Sequence, residues 1–238
     1  MESYYADAVL ENLPSVPVRR SDVLTRLRTL FEPFPYFENY ELLIDAELAG
    51  LSLVHKRIDS IAFCGAGPFP LSGILAHLRT GTHTELIEID FQAAKQATRL
   101  LHQLERIGVL EPDAISVTVA DAGTVDLRDH DAVLVASLLP NSTLVSISER
   151  SARPGEGEFA PTLIARSADE LAGLFCYEPI LIDDVESAGW EHVGTVAPER
   201  TLEATPDEAT TDEYAGKILA VADSSVLNST EFFQNARR

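Results

Sequence analysis

The residues of this chain whose spacing most clearly indicates a ligand-binding site are two glycines within residues 60–71. The segment SIAFCGAGPFPL joins an apolar run, typical of a buried strand, to Gly65 and Gly67, after which a helix is predicted to begin. Glycine lets the backbone turn tightly and lets a nucleotide lie against it, and the next helix N-terminus offers unpaired N–H groups. A glycine pair after a strand also occurs for packing alone. We interpret Gly65, Ala66 and Gly67 as a loop that binds a nucleoside cofactor.

Acidic residues follow the next two predicted strands. In ELIEID (residues 85–90) Glu88 is placed to accept from the ribose hydroxyls, and Asp90 to cap the next helix. Asp121 follows the third strand, where it could accept from the adenine amine or be an ordinary surface residue. A glycine turn, an acid and an acid at three successive strand ends favour a nucleoside site. Neighbouring residues that we assign to the same site are Ile89, Ala122 and Ser137.

The elements that must position these residues alternate as a parallel sheet requires. Strands are predicted at 60–64, 85–89, 114–119, 131–136 and 161–166, and helices at 21–29, 40–55, 70–79, 91–107, 143–151 and 168–173. The connection between the third and fourth strands is too short for more than a short helix. Predicted strands at 190–197 and 216–223 form a closing antiparallel pair. This pair favours an α/β, doubly wound (Rossmann-type) sheet of the class I S-adenosylmethionine (SAM) methyltransferase type over a nicotinamide-binding domain.

The predicted elements divide the chain into three parts. Residues 1–59 form an N-terminal helical cap, residues 60–227 form the SAM-binding catalytic domain, and residues 228–238 form a loosely held tail. The length of 238 residues is sufficient for one sizeable core with such an appended element.

Composition limits the partners. The 18 basic and 38 acidic residues give a formal net charge of −20, which disfavours nucleic acids and anionic membranes and favours a small-molecule substrate. The two cysteines, Cys64 and Cys176, are predicted to be reduced core residues, and no metal site is expected. Without a membrane-length apolar stretch or a signal-like N-terminus, we expect a cytoplasmic monomer or homodimer.

Four separated motifs resemble those of the nicotianamine synthase superfamily. Residues 63–71 (FCGAGPFPL) resemble its FxGxGPxPL signature, and FPYFENY at residues 34–40, followed by Glu47, resembles its FPYxxNYxxLxxLE segment. Arg166-Ser-Ala and Tyr177 fall where its RSA and LYP motifs fall. The resemblance extends from Phe34 to Pro179 and implies a SAM-dependent enzyme of this superfamily.

Members of this superfamily do not transfer the methyl group. An amine attacks the γ-carbon of the SAM aminobutyrate arm, and methylthioadenosine is released. Here only 59 residues precede the first strand, and Asp169-Glu170 replace the family's His-Gly, so a large second substrate has less to hold it. The short cap and the strand exit Leu139-Pro140-Asn141 are similar to the compact azetidine-2-carboxylate synthases, in which the SAM α-amine is itself the nucleophile.

The resemblance also implies catalytic roles for three residues. Asn141 would bind the α-amine through its side-chain oxygen, although it could instead cap a helix. Tyr177 would orient that amine or help to take its proton, although its ring could belong to the core. Glu47 matches a family glutamate that handles the acceptor amine, with a solvated side chain as the alternative.

Further residues are candidates for the rest of the cofactor. Arg166 could bind the SAM carboxylate with its forked guanidinium, or form a surface ion pair instead. Tyr36 and Tyr40, with Tyr4 or Tyr5, could contact the sulfonium by cation–π interaction, or simply pack around the proline bend.

Four functions remain open at this stage. A SAM cyclase would need SAM alone, whereas intermolecular aminocarboxypropyl transfer, as in opine metallophore synthesis, would need an amino-acid acceptor. A small-molecule methyltransferase would release S-adenosylhomocysteine. A non-catalytic SAM-binding protein would bind SAM without consuming it.

Overall fold

The computed structural model of the chain describes residues 2–12, 23–31, 34, 36–54, 57–136, 139–151, 161–168, 180–196 and 228–235. The helices of these ranges are α1 (Glu2–Asn12), α2 (Val23–Phe31), α3 (Phe37–Val54), α4 (Leu71–Thr80), α5 (Phe91–Arg106), α6 (Asn141–Ser151) and α7 (Ile182–Ser187). The strands are β1 (Ser60–Cys64), β2 (His83–Glu88), β3 (Ile115–Val119), β4 (Ala132–Val135), β5 (Thr162–Ala168), β6 (Trp190–Val196) and β7 (Asn228–Asn235).

These strands form one seven-stranded sheet in the order β3-β2-β1-β4-β5-β7-β6. Strands β1 to β5 pair in parallel, and β7 runs antiparallel to both β5 and β6. The strand order reverses direction between β1 and β4, which is where open α/β sheets bind ligands. The predicted doubly wound fold is confirmed, and residues 120–131 contain no helix between β3 and β4, as expected.

The end of the chain corrects one prediction. Residues 228–235 are strand β7 and not a loose tail, and this strand is an antiparallel partner of β6. The predicted strand at residues 216–223 lies outside the described residues. Strand β7 is held on both sides by ladders to β5 and β6, and Phe233 is fully buried opposite Leu163. Ala168 ends β5 instead of opening a helix.

Alternate residues of β1 face two separate apolar layers. Ile61 and Phe63 pack in the layer that contains Leu27, Phe31 and Ile44 of the N-terminal helices. Ala62 and Cys64 face the opposite layer, which contains Trp190 and Phe233. Helices α2 and α3 therefore share a core with the sheet. Helix α1 (Glu2–Asn12), which the sequence analysis missed, contributes Ala6 and Val9 to the same layer.

Ion pairs also join the N-terminal helices to the first helix of the sheet domain. Glu41 of α3, which is 6% exposed, accepts from Arg79 Nη2 of α4 at 2.9 Å and from Arg28 Nε of α2 at 3.1 Å. Arg79 Nε also donates to Asp45 at 2.9 Å. This cluster lies beside the core and apart from the cavity described below. None of the helices in the described ranges has the length and apolar character needed to cross a membrane.

Candidate active site

The glycine loop is hydrogen-bonded to the end of β2. The amides of Gly65 and Ala66 both donate to the carbonyl of Ile87, at 2.9 and 3.3 Å. Gly65 has φ of 80°, and a Cβ built on it would lie 2.3 Å from Leu139 Cδ1. Only glycine satisfies both the positive φ and this close approach. The loop is therefore fixed between β2 and the connection that leaves β4.

Glu88 ties the loop to the end of β2. Its side chain is buried, with Oε2 accepting from the Gly67 amide at 2.7 Å and Oε1 accepting from the Asp90 amide at 2.9 Å. Each carboxylate oxygen retains a second lone pair, which could accept from a ribose hydroxyl. Asp90 caps α5 as predicted, since its Oδ1 accepts from the Gln92 amide at 2.7 Å.

The next strand exit carries Asp121. Its Oδ1 accepts from the Gly123 amide at 2.9 Å, which fixes the turn after β3 and leaves the other oxygen outside this bond. Ile89, at the end of β2, is 69% exposed. The apolar Ile89 and the acidic Asp121 therefore follow neighbouring strands, where the adenine base is predicted to bind.

These residues line one cavity of about 580 Å³ at the carboxyl ends of β1, β2 and β4. The predicted site residues found in its wall are Tyr40, Gly65, Ala66, Gly67, Glu88, Ile89, Asp121, Ala122 and Arg166. Residues that the sequence analysis did not assign to the site, such as Phe69, Ser72, Leu139 and Thr143, also line it. The cavity has the size of a small-molecule site.

Arg166 and Glu47 form a buried, bidentate ion pair. Arg166 Nε donates to Glu47 Oε1 at 2.8 Å and Nη2 donates to Oε2 at 2.9 Å, while Nη1 donates to Ser72 Oγ at 2.8 Å. The Arg166 side chain is 9% exposed and the Glu47 side chain is 1% exposed, so the ion pair is not on the surface and Glu47 is not solvated. Burial disfavours the charged guanidinium, but the attraction and hydrogen bonds of Glu47 outweigh it and raise the pKa of Arg166.

Of the two catalytic residues predicted after β4 and β5, Asn141 is among the residues that the structure describes and Tyr177 is not. Asn141 is the first residue of α6 and does not line the cavity, although Pro140 and Thr143 on either side of it do. Tyr177 lies outside the described residues, as does Ser137.

The tyrosines belong to a cluster around Phe34. Ring centroids lie 5.0 Å from Phe34 for Tyr5, 5.5 Å for Tyr36 and 5.7 Å for Tyr40, all at steep angles. Tyr4 is 71% exposed and touches the edge of Tyr5. Of these four, Tyr40 lines the cavity. Tyr4, Tyr5 and Tyr36 are not among the residues that line it, and their contact with a sulfonium stays a prediction.

Cys64 lines the cavity but is not suited to nucleophilic attack. It is 1% exposed, and burial, reinforced by the charge of Glu85, raises the pKa of its thiol to about 12. The thiol is therefore protonated at neutral pH, in agreement with a reduced core residue. Cys176 lies outside the described residues. Within the described ranges, no group of three or more histidine, cysteine or acidic residues is arranged to hold a metal ion.

Ser72 is a polar cavity residue that the sequence analysis did not assign to the site. It is the second residue of α4, directly after the glycine loop and Pro70. The start of the helix after such a loop is a general signal for ligand contact. The position therefore could have been proposed, but its bond to Arg166 joins residues 94 apart in the chain and has no sequence signal.

The sheet order, with β7 antiparallel and a cavity at the strand reversal, defines the class I SAM-methyltransferase-like fold. The sequence model of the nicotianamine synthase protein family matches residues 15–153, which is more than half of the chain. The chain therefore belongs to the nicotianamine synthase family. A search of curated proteins finds no match.

Solved structures agree with this fold. The crystal structure of MtNAS in complex with MTA and tNA is 21% identical, with a TM-score of 0.66, and the match covers 98% of this chain and 69% of that one. A substituted MtNAS in complex with S-adenosylmethionine is also 21% identical, covers 98% and 71%, and has a TM-score of 0.65. The methyltransferase domain of bacterial CtHen1 is 12% identical, covers 83% and 98%, and has a TM-score of 0.54.

Proposed function

We propose that the protein is a SAM-dependent cyclase that converts SAM to azetidine-2-carboxylate and 5′-methylthioadenosine. The observation that carries the proposal is that the glycine loop, Glu88, Asp121, Tyr40 and Arg166 all line one cavity. Nucleoside-binding groups and groups suited to an amino-acid end thus line the same space. Family membership supports SAM as the substrate and the aminocarboxypropyl type of chemistry. The MtNAS complex with S-adenosylmethionine supports the same choice.

The nucleoside end would be held by the strand exits. Glu88 accepts from the ribose hydroxyls, Asp121 from the adenine amine, and the base lies against Ile89. Ala66 and Ala122 are small enough for the nucleoside to approach the backbone, and Ser137 completes this end. Glu88 already accepts from the Gly67 amide, so the loop and the ribose would share one carboxylate.

When bound, SAM supplies both reacting groups: its α-amine forms a bond to its own γ-carbon, the C–S bond breaks, and sulfur leaves with the electron pair as a neutral thioether. The residues of the chain need not protonate the leaving group. They must favour the neutral amine, whose ordinary pKa is about 7.7 to 8.0, and receive one proton per turnover. Asn141 would orient the amine through its side-chain oxygen, and Tyr177 would orient it or pass its proton to water.

Orientation supplies much of the rate in this proposal. The amine must lie behind the γ-carbon, opposite sulfur, and holding a folded reactant in such a geometry contributes several kcal/mol. Tyr40 would contact the sulfonium, and a desolvated cation–π contact contributes about 2 kcal/mol. The cavity walls would therefore act mainly by holding one conformer of the substrate.

Intermolecular aminocarboxypropyl transfer to an amino-acid amine is the second candidate. It is favoured by membership of a family named for nicotianamine synthesis. It differs from the cyclase in one requirement, because turnover would depend on an added acceptor.

Mass spectrometry of the purified protein with SAM alone tests the proposal. We expect methylthioadenosine and azetidine-2-carboxylate together, and suppression of both by Asn141→Ala and by Tyr177→Phe. Turnover only after addition of an amino acid would replace the cyclase with the transferase. S-Adenosylhomocysteine as the coproduct would identify a methyltransferase, and intact SAM that nevertheless binds would identify a non-catalytic protein.

A further inference from the structure

We infer that Glu47 is a positioning residue: together with Ser72 it fixes Arg166, and the free N–H groups of the guanidinium bind the carboxylate of the SAM aminobutyrate arm. The inference rests on the proposed binding of SAM but not on which nucleophile reacts. It departs from the resemblance, which implies that Glu47 handles an amine.

The hydrogen bonds of Arg166 fix which of its groups are available. A guanidinium has five N–H groups. The N–H on Nε and one N–H on Nη2 donate to Glu47, and one N–H on Nη1 donates to Ser72. Among the residues that the structure describes, none accepts from the second N–H on either terminal nitrogen, and the Arg166 side chain lines the cavity. A substrate carboxylate can therefore bind at Nη1 and Nη2, while the Nε side is already occupied.

Ser72 contacts the Arg166 guanidinium at the wall of the cavity. Its Oγ accepts from Arg166 at 2.8 Å, so its own proton is available to donate to the same carboxylate. Ser72 also lines the cavity, as does the adjacent Gly73. Ser72 and Gly73 are the second and third residues of α4, whose N-cap residue, Pro70, makes no side-chain cap hydrogen bond. These groups present several donors to one end of the cavity.

The charge of the pair suits an amino-acid head group. Glu47 and Arg166 together have no net charge, and the buried carboxylate offsets the desolvation of the guanidinium. The aminobutyrate end of SAM carries both an amine and a carboxylate. A neutral pair that presents only its N–H side binds the carboxylate without attracting a second anion. It also leaves the amine free for reaction.

The position of Glu47 argues against direct contact with an amine. Both of its oxygens accept from Arg166, and its side chain is 1% exposed and does not line the cavity. Taking a proton from substrate would require separation of a buried ion pair, which is strongly unfavourable. Glu47 thus acts through Arg166.

Calorimetric titration with two ligands tests this inference. Methylthioadenosine has the nucleoside of SAM without the aminobutyrate arm. For Glu47→Gln and Ser72→Ala we expect SAM affinity to fall about tenfold or more, as for loss of a charge-assisted hydrogen bond, with methylthioadenosine affinity unchanged. Glu41→Gln is the matched control: it removes a buried, arginine-paired acid of the same helix and should change neither affinity.

Several results would overturn the inference. Equal losses for SAM and methylthioadenosine would mean that the pair supports the fold alone, and unchanged SAM affinity in Ser72→Ala would remove the serine from the subsite. Should Glu47→Gln fail to fold, Ser72→Ala decides, and Ser72→Thr, which keeps the hydroxyl, should restore SAM affinity.

Kinetics separate positioning from amine handling. Positioning predicts a raised KM for SAM with the pH profile of kcat unchanged in Ser72→Ala and Glu47→Gln. A lowered kcat with a lost limb of that profile in Glu47→Gln would instead make Glu47 the group that takes the proton. The binding results do not depend on product: selective loss of SAM affinity without any cyclic product would refute the cyclase and leave this inference standing. Failure of the unsubstituted protein to bind SAM would refute both.

Discussion

Substitution of Gly65 by alanine should lower SAM affinity, and comparison with Gly81→Ala should distinguish this effect from a loss of folding stability. Gly65 and Gly81 have similar positive φ angles, 80° and 70°. A Cβ at Gly81 would meet no atom within 4 Å, whereas one at Gly65 would lie 2.3 Å from Leu139 Cδ1 and 3.2 Å from Ala136 Cβ. Gly81→Ala is therefore a control that carries the backbone strain without the crowding.

The magnitudes follow from these distances. An L-residue in the left-handed region costs about 1 to 2 kcal/mol, partly offset by the lower entropy of the unfolded chain. Gly81→Ala should lose about 1 kcal/mol of unfolding free energy, or about 2 to 4 °C in Tm for a chain of this size. Gly65→Ala should lose about 1 to 3 kcal/mol more, because the added Cβ crowds Leu139 and Ala136. Carbon atoms normally approach to about 3.5 Å, so Leu139 must move by about 1 Å in Gly65→Ala. Since Leu139 lines the cavity, SAM affinity should fall about tenfold or more.

Urea unfolding and calorimetric titration with SAM, applied to both variants, check this. The expected result is a larger loss of stability in Gly65→Ala than in Gly81→Ala, and a loss of SAM affinity only in Gly65→Ala. Unchanged SAM affinity in Gly65→Ala, at the expected stability, would refute the placement of the cofactor on this loop. An equal affinity loss in Gly81→Ala would show that strain anywhere in the fold weakens binding.

Two other predictions concern the strand exits. Glu88→Gln should lower SAM affinity about tenfold to a hundredfold by calorimetry, because a neutral amide accepts more weakly from the ribose hydroxyls than a carboxylate does. Asp90→Ala should lose about 1 kcal/mol of unfolding free energy, because it removes a helix cap, and should leave SAM affinity unchanged. A larger loss of SAM affinity in Asp90→Ala than in Glu88→Gln would contradict the assignment. In a Cys176→Ser background, Cys64 should resist iodoacetamide at pH 8 until the chain is unfolded, because burial raises its pKa to about 12, and rapid labelling of the native protein would contradict this.

The parallel half of the fold was predictable from local signals. The apolar runs of β1, β2 and β4 stand out, and Gly65 and Glu88 were identified because they end strands whose order in the sheet follows from the α/β pattern. Residues before α4 and α5 carry equally clear signals, namely the glycine loop and the capping Asp90. Local periodicity and turn chemistry were therefore sufficient to predict which strand ends line the cavity.

The last strand was not predictable in this way. Residues 228–235 are mostly polar, and within them Phe233 is fully buried. The segment is a strand because β5 and β6 supply ladders on both of its sides, and this pairing is non-local. Tertiary pairing, rather than propensity, decides its conformation.

The pairing of Glu47 with Arg166 was not predictable from local signals either. Glu47 and Arg166 are 119 residues apart in the chain, and each was assigned a separate role in the sequence analysis. Neither role anticipated their bidentate pairing, which occupies the Nε side of Arg166 and both oxygens of Glu47. Side-chain pairing across elements depends on packing geometry, which a single sequence does not encode locally.

The most direct test of the proposed cyclase follows the nitrogen of the substrate. Purified protein is incubated with SAM carrying ¹⁵N at the α-amine, in the presence of a mixture of unlabelled amino acids. We predict equal amounts of methylthioadenosine and ¹⁵N-labelled azetidine-2-carboxylate, with a rate independent of the added amino acids. Unlabelled amino acids that gain an aminocarboxypropyl group, or methylthioadenosine release that depends on the mixture, would contradict the account.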